Sequence, residues 1–275
     1  MKYTIQSSKY VVKNFLYLFP FALIPALFLA LSMDGEAIVC VLKTLSEKNT
    51  RELHFEHIFR AISIFNFASW DAVLCGILGI LSMLFCGALM MALMEKHMRI
   101  GKRTFNGVFA KLNDNLIPTG GYLLLLLAIY EIWTLVLSAL LFFISRFGTF
   151  YVAFPIMAIV YLAMHGVLLY GISIIYLWLP CMQITGFKAG EALYYSNQLA
   201  SPAKNKIFFG QIFFILFAEA AICLCTAFAS SALGLAVLST VLYSFMIMIY
   251  CVRMEIAYFD LDNIERADLV KYYQR

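Results

Sequence analysis

The chain has 275 residues, of which 63% are hydrophobic and only 13% charged, where a soluble domain carries about 25% charged residues. No water-soluble fold of this length hides that much apolar surface, and the longest predominantly polar segments, 34–70 and 95–120, are too short to build a domain with its own core. The net charge of +4 is modest and no aromatic residues interleave the basic loops, which excludes a nucleic-acid reading and leaves a single membrane domain with loops.

In chain order, residues 1–13 form a cationic lead with Lys2, Lys9 and Lys13, expected to lie along the headgroups. The first apolar span, 15–32, carries Pro20 and Pro25, which remove backbone donors and are expected to kink it. Its apolar run of about 17 residues is at or beyond the usual signal-peptide core, and no Ala-x-Ala follows, so it reads as a retained helix. The one long outer segment is 33–70. There Ile38, Val41, Leu42 and Leu45, then Leu53, Phe55, Ile58, Phe59 and Ile62 recur at helical spacing. That pattern predicts one or two amphipathic helices packed on the outer face or lying in the interface. The second span, 72–94, contains Gly76, Gly79 and Gly87, which permit close helix approach.

A basic return follows over 95–120, and Pro118-Thr-Gly-Gly121 reads as the end of a second interfacial lead. Spans three and four are predicted at 122–144 and 150–179, the latter stopped by Pro180. A polar lead from Gly190 then runs through the Lys204-Asn-Lys206 anchor into spans 208–228 and 232–252, joined only by Ala229, Ser230 and Ser231. Residues 253–275 leave as a cytoplasmic tail whose charged end is expected to form a short helix. At ~1.5 Å rise per residue each span reaches roughly 30 Å, a bilayer core. The fold class is therefore all-α, a polytopic six-helix transmembrane bundle.

Basic side chains are retained on the cytoplasmic face. With the N-terminus inside, the inner segments hold all of the 20 Lys and Arg except Lys43, Lys48, Arg51, Arg60 and Arg146. The expectation is a multi-pass cell-membrane protein with both termini cytoplasmic. Of the seven cysteines only Cys40 falls in an outer loop and no C-x-x-C exists, so all seven read as small packing residues rather than disulfides or zinc ligands.

The lead, anchor and paired span recur three times by hydropathy, with Lys13-Asn14, Asn115 and Lys204-Asn205 in corresponding places. An internal triplication and an ordinary run of hairpins both fit. The lead Gly190-Glu-Ala-Leu-Tyr-Tyr-Ser-Asn-Gln-Leu with its Lys-Asn anchor and paired span resembles the repeated unit of uncharacterised six-helix bacterial integral membrane proteins. It is also similar to the membrane domain found beside some glycerophosphodiester phosphodiesterases. The resemblance is one of architecture; the outer segment 33–70 departs from it, and no phosphodiesterase catalytic domain is present. It implies a bacterial cytoplasmic-membrane protein and carries over no functional residue.

Three ionisable residues fall near the middle of their spans: Glu131, His165 and Glu219. A charge at the bilayer centre costs at least ~2.5 kcal/mol, so these side chains are expected to face one another. Glu131, Thr134 and Ser138 share a helix face, as do Glu219, Cys223, Thr226 and Ser230, and Tyr161 lies one turn before His165. One reading makes the trio interhelical hydrogen-bonding glue. The other makes it a polar path for a proton, cation or small polar solute. His54 and His57, three apart in the outer segment, are a weaker pair for a metal. H-E-x-x-H, G-x-S-x-G, Walker and G-x-G-x-x-G patterns are missing, and no cofactor is implied. The leading expectation is a non-enzymatic scaffold or subunit of a membrane complex or envelope process, partnered by the bilayer and by another membrane protein or a second copy. A transporter or permease working past Glu131, His165 and Glu219 is the alternative, and intramembrane catalysis by Glu131 with His165 a third.

Overall fold

The computed structural model describes residues 2–229 and 231–269; Ser230, which was expected on the Glu219 face, and residues 270–275 of the expected tail helix lie outside the described residues. Every regular element among the described residues is helical. α1 (Lys2–Lys13) leads into α2 (Phe15–Ser32), followed by α3 (Gly35–Ser46), α4 (Phe55–Ile62), α5 (Trp70–Ile100), α6 (Val108–Ser145) and α7 (Phe150–Ile175). Then come α8 (Trp178–Thr185), α9 (Ala189–Ala200), α10 (Lys204–Phe228) and α11 (Ala232–Leu261). Among the described residues six stretches, built on α2, α5, α6, α7, α10 and α11, are long and apolar enough to cross a bilayer. The chain is thus an all-α, multi-pass membrane protein.

Local chemistry sets several of the ends. Ser69 caps α5 by accepting from the Ala72 N–H, and Ser231 caps α11 by accepting from Gly234, each satisfying a donor that the first turn leaves free. Gly101 closes α5 in the left-handed region, φ 71°, with its N–H on His97 O, a conformation that only glycine adopts at no steric cost.

Three expected boundaries are corrected. Pro118 does not end a separate lead, because α6 runs through it. One forfeited backbone bond is outweighed where glycine lets α5 come close, and a Cβ added to Gly120 would stand 3.4 Å from Leu84 Cδ1. Pro180 does not stop span four: α7 ends at Ile175, but the apolar stretch runs on to Thr185 through α8, and Pro180 falls in the first turn of that helix, where backbone N–H groups have no intrahelical partner to lose. Residues beyond Val252 do not leave as a tail. α11 continues to Leu261 with Arg253, Glu255, Tyr258 and Phe259 buried, since this end of α11 packs against α1, α5 and α8.

α2 lies between α5 and α11. At Gly79 of α5 a Cβ would meet Leu29 Cδ2 at 3.0 Å and the Leu29 backbone nitrogen at 3.3 Å. The backbone cannot move aside as a side-chain tip can. Gly79→Val is therefore expected to lower stability by about 1–3 kcal/mol, read as an earlier thermal unfolding midpoint in detergent; an unchanged midpoint would show that the α2–α5 seam is looser than drawn.

The interior has two packed regions. One joins α1, α2, α5, α8 and α11 through Tyr10, Leu18, Met90, Leu93, Cys181, Met254 and Tyr258. The other joins α4, α6 and α7 through Ile58, Trp133, Leu137, Leu141, Met157 and Leu169. The segment expected to lie along the outer face or interface instead stands upright against α6. At its tip Arg146, between α6 and α7, donates to Arg51 O at 2.5 Å and Leu53 O at 3.3 Å. At its base Tyr130 Oη donates to Ile62 O at 2.7 Å, and Glu131 accepts from Ser63 Oγ at 2.9 Å and from Ile64 N at 3.0 Å. Residues 131 and 146 are about 22 Å apart along a helix. The α3–α4 hairpin therefore spans that height, burying its apolar faces on α6 and α10 rather than on headgroups.

Candidate functional site

A polar cluster forms between α7 and α10. His165 Nε2 lies 2.8 Å from Glu219 Oε1, and Tyr161 Oη donates to Glu219 Oε2 at 2.7 Å. His165 Nδ1 is 2.9 Å from the Tyr161 carbonyl oxygen one turn earlier. The ring is held on its other sides by Trp133, whose indole stands edge-on at 4.7 Å between centroids and 83° between planes. Trp133 is itself fixed by its Nε1 donating to Met164 O at 2.8 Å. A carbonyl can only accept, so Nδ1 carries a hydrogen, and what remains between Nε2 and Oε1 is a single proton. The pair is either imidazolium with carboxylate or imidazole with carboxylic acid.

Two of the three expected mid-span ionisable residues thus meet, and Glu131 does not join them. It is spent on Ser63 and Ile64, where it anchors the base of the α3–α4 hairpin. The reason lies in the break after Ile62: Ile64 presents an unpaired backbone N–H at this depth, and a carboxylate satisfies it. Thr134 and Ser138 lie buried further along α6. His54 and His57 stand with ring centroids 5.6 Å apart, and His57 Nδ1 lies 3.4 Å from Cys40 Sγ. No group of three or more His, Cys, Asp and Glu converges as a metal site among the described residues.

Beside the cluster is a cavity of about 540 Å³. Its walls come from α2 (Leu29, with Met33 just beyond), α7 (Phe154, Met157), α10 (Ile215, Ile222) and α11 (Met246), and α3 and α4 cap it with Ile38, Leu45, Ile58 and Ile62. The lining is mostly apolar, with polar groups at two places. At one are Tyr161 and Glu219, joined by Tyr130 and Tyr243. At the other are Asp34 and Arg60, 2.6 Å apart, with Arg60 also held by Glu56 at 2.9 Å. Burial pulls the Arg60 guanidinium down, but bonds and charges from Glu56 and Asp34 outweigh it and hold its pKa above the ordinary value. Asp34 serves twice, since it also caps α3 by accepting from Ala37 N at 2.9 Å.

Within the cluster, exposure separates the roles. The His165 side chain is 2% exposed and the Glu219 side chain 28%, so the carboxylate meets the cavity and the imidazole stands behind it. Tyr130, Tyr243, Asp34 and Arg60 escaped the sequence reading. Asp34-Gly35 after an apolar span is a helix-restart signal from which Asp34 could have been found, but aromatic residues in apolar spans carry no sign of which ones line a cavity.

Comparison with family models, with curated proteins and with solved structures gives no match to this chain. The geometry offers a mostly apolar cavity, two carboxylates at its wall, Asp34 paired with Arg60 and Glu219 bonded to Tyr161 and His165, and one proton shared behind Glu219.

Proposed function

We propose that this membrane protein binds an amphiphilic molecule in the capped chamber and works as a carrier or permease for it. The observation that carries this reading is the chamber itself. Its volume falls within the roughly 300–1,000 Å³ of small-molecule sites, and its apolar lining suits hydrocarbon better than a bare ion or a water-soluble solute. A scaffold or subunit role, the leading expectation from the sequence, has no use for an apolar cavity of this size beside the His165–Glu219 pair. The orientation follows the charge distribution. α1, the 101–107 loop, α8, α9 and the end of α11 share one end of the bundle, joined by Lys2 to Asp260, Arg103 to Asn14 and Tyr195 to Asp262, and that end, with Lys96, Arg99, Lys111, Lys188, Lys204, Lys206 and Arg266 on the segments beside it, carries most of the basic residues. We take that end as cytoplasmic, in a cell membrane, which turns the α3–α4 cap outward.

A long-chain alcohol bearing a photoreactive diazirine, presented in lipid nanodiscs, tests the reading. Cross-links are expected at Leu45 and Ile222 of the chamber in excess of those at Phe217, which is 73% exposed on the outer face of α10. Ala158→Trp, filling the chamber from α7, is expected to cut that labelling about tenfold, the loss of about 1.4 kcal/mol of binding. Equal labelling of Ile222 and Phe217 would mean ordinary lipid contact and no chamber ligand.

A further inference from the structure

The chamber's polar wall is specific about charge. Arg60 is the cation that lines it, and Asp34 and Glu56 already neutralise that charge. Glu219 is different: its bonds come from a phenol and from an imidazole that bears either zero or one positive charge. The titratable groups facing it are Tyr130 on α6, Tyr161 and His165 on α7, and Cys223 on its own helix, with Tyr243 of α11 beside Tyr130. None of these can supply a permanent positive charge. Three of them are phenol rings, whose faces attract cations, and the Tyr243 hydroxyl makes no hydrogen bond among the described residues.

Resting on the chamber reading above, we propose that the ligand is a monocationic amphiphile whose charged group seats at Glu219 in exchange for the one proton shared with His165. The proton bookkeeping closes on groups already described. With Nδ1 committed to the Tyr161 carbonyl, one proton lies on the 2.8 Å line between His165 Nε2 and Glu219 Oε1. A ligand cation beside the carboxylate repels it strongly in a poorly solvated site. The proton departs to water, His165 remains as neutral imidazole, and the carboxylate becomes the counter-ion of the ligand. His165 is then a positioning residue, because it holds the exchangeable proton without touching the ligand.

The test uses the intact protein in nanodiscs of zwitterionic lipid, with tetraphenylphosphonium and its anionic isostere tetraphenylborate measured by flow dialysis. The cation is expected to bind and the anion not to bind. Each cation bound in weak buffer is expected to release about one proton, and cation affinity to fall about tenfold per pH unit once the pair is protonated. Glu219→Gln is expected to lose cation binding at least tenfold. Equal binding of both isosteres, or cation binding with no proton release, overturns the proposal in the wild-type protein without relying on any variant. Alcohol labelling of the chamber without phosphonium binding overturns the cation while leaving the chamber reading intact; failure of both removes the chamber reading itself.

Discussion

Glu219→Leu is expected to lower the stability of the folded protein by about 2–4 kcal/mol, the cost of leaving two buried polar groups, His165 Nε2 and Tyr161 Oη, without their partner. The magnitude follows from what is left behind. His165 is 2% exposed, enclosed by the Trp133 and Tyr161 rings at 4.7 and 4.2 Å, and it would keep only the Tyr161 carbonyl as a partner. Tyr161 Oη would lose its acceptor as well. Glu219→Gln keeps the shape and one acceptor oxygen, so its cost is expected to stay near 1–2 kcal/mol. The decisive variant is the double replacement of Glu219 and His165 by Leu, which removes both polar partners together and is expected to recover most of the loss. Reversible unfolding of the four proteins in one detergent measures this. Additive single and double losses would mean that the 2.8 Å contact contributes nothing as a pair, and the shared proton would lose its structural basis.

The membrane fold was legible because hydropathy over twenty residues is a strong signal, and α2 begins and ends where its apolar run does, at Phe15 and Ser32. The errors came at prolines and at charges. Pro118 sits within α6 because tight packing against α5 sustains the helix, and a proline read alone cannot report what its neighbours supply. Arg253 and Glu255 read as the start of a tail because charge usually marks the membrane's edge, yet α11 carries both into a packed interior. The site was half legible. Cost alone dictates that mid-span acids and imidazoles turn inward, which grouped His165 and Glu219 together with Glu131 and set Tyr161 one turn before His165. It could not say that Glu131 would be taken by a loop, because the loop's free N–H at Ile64 exists only after Ile62 ends its helix. Nor does a chamber leave a trace in sequence: Ile38, Leu45 and Ile222 line empty space with the same letters that elsewhere fill it.

Cap and cluster are linked through α6. Tyr130 and Glu131 hold Ile62, Ser63 and Ile64, while Trp133, less than one turn further, holds His165. Tyr130, Glu131 and Trp133 all lie within one turn of α6, so that turn presents hydrogen-bonding groups to the hairpin base and an aromatic ring to α7. Any movement of the cap that lets a ligand in must break or carry along the Glu131 bonds, and the same rigid turn borders the imidazole that holds the proton.

The other large effect is expected at the opposite end of the bundle. Arg253→Ala should lower stability by about 2–5 kcal/mol, the range for deleting a large buried side chain. Arg253 is 3% exposed, and its guanidinium is met by aromatic rings and neutral acceptors. It donates through Nε to Tyr176 Oη at 2.9 Å and through Nη1 to Gly210 O at 3.0 Å. The rings of Phe214, Tyr176 and Tyr250 surround it, with centroids 5.0, 5.5 and 5.9 Å from Cζ. Such contacts reach about 2 kcal/mol when desolvated, and they tie α7, α10 and α11 at one point. Two further variants separate charge from shape. Arg253→Lys keeps the charge but loses the planar fork that serves Tyr176 and Gly210 together, and Arg253→Met keeps most of the stem and none of the charge. If the ring contacts dominate, Lys is expected to fall between wild type and Ala, and Met close to Ala. Met matching wild type in thermal unfolding would instead show that the stem's packing carries the effect and that the guanidinium charge contributes nothing to holding these three helices together.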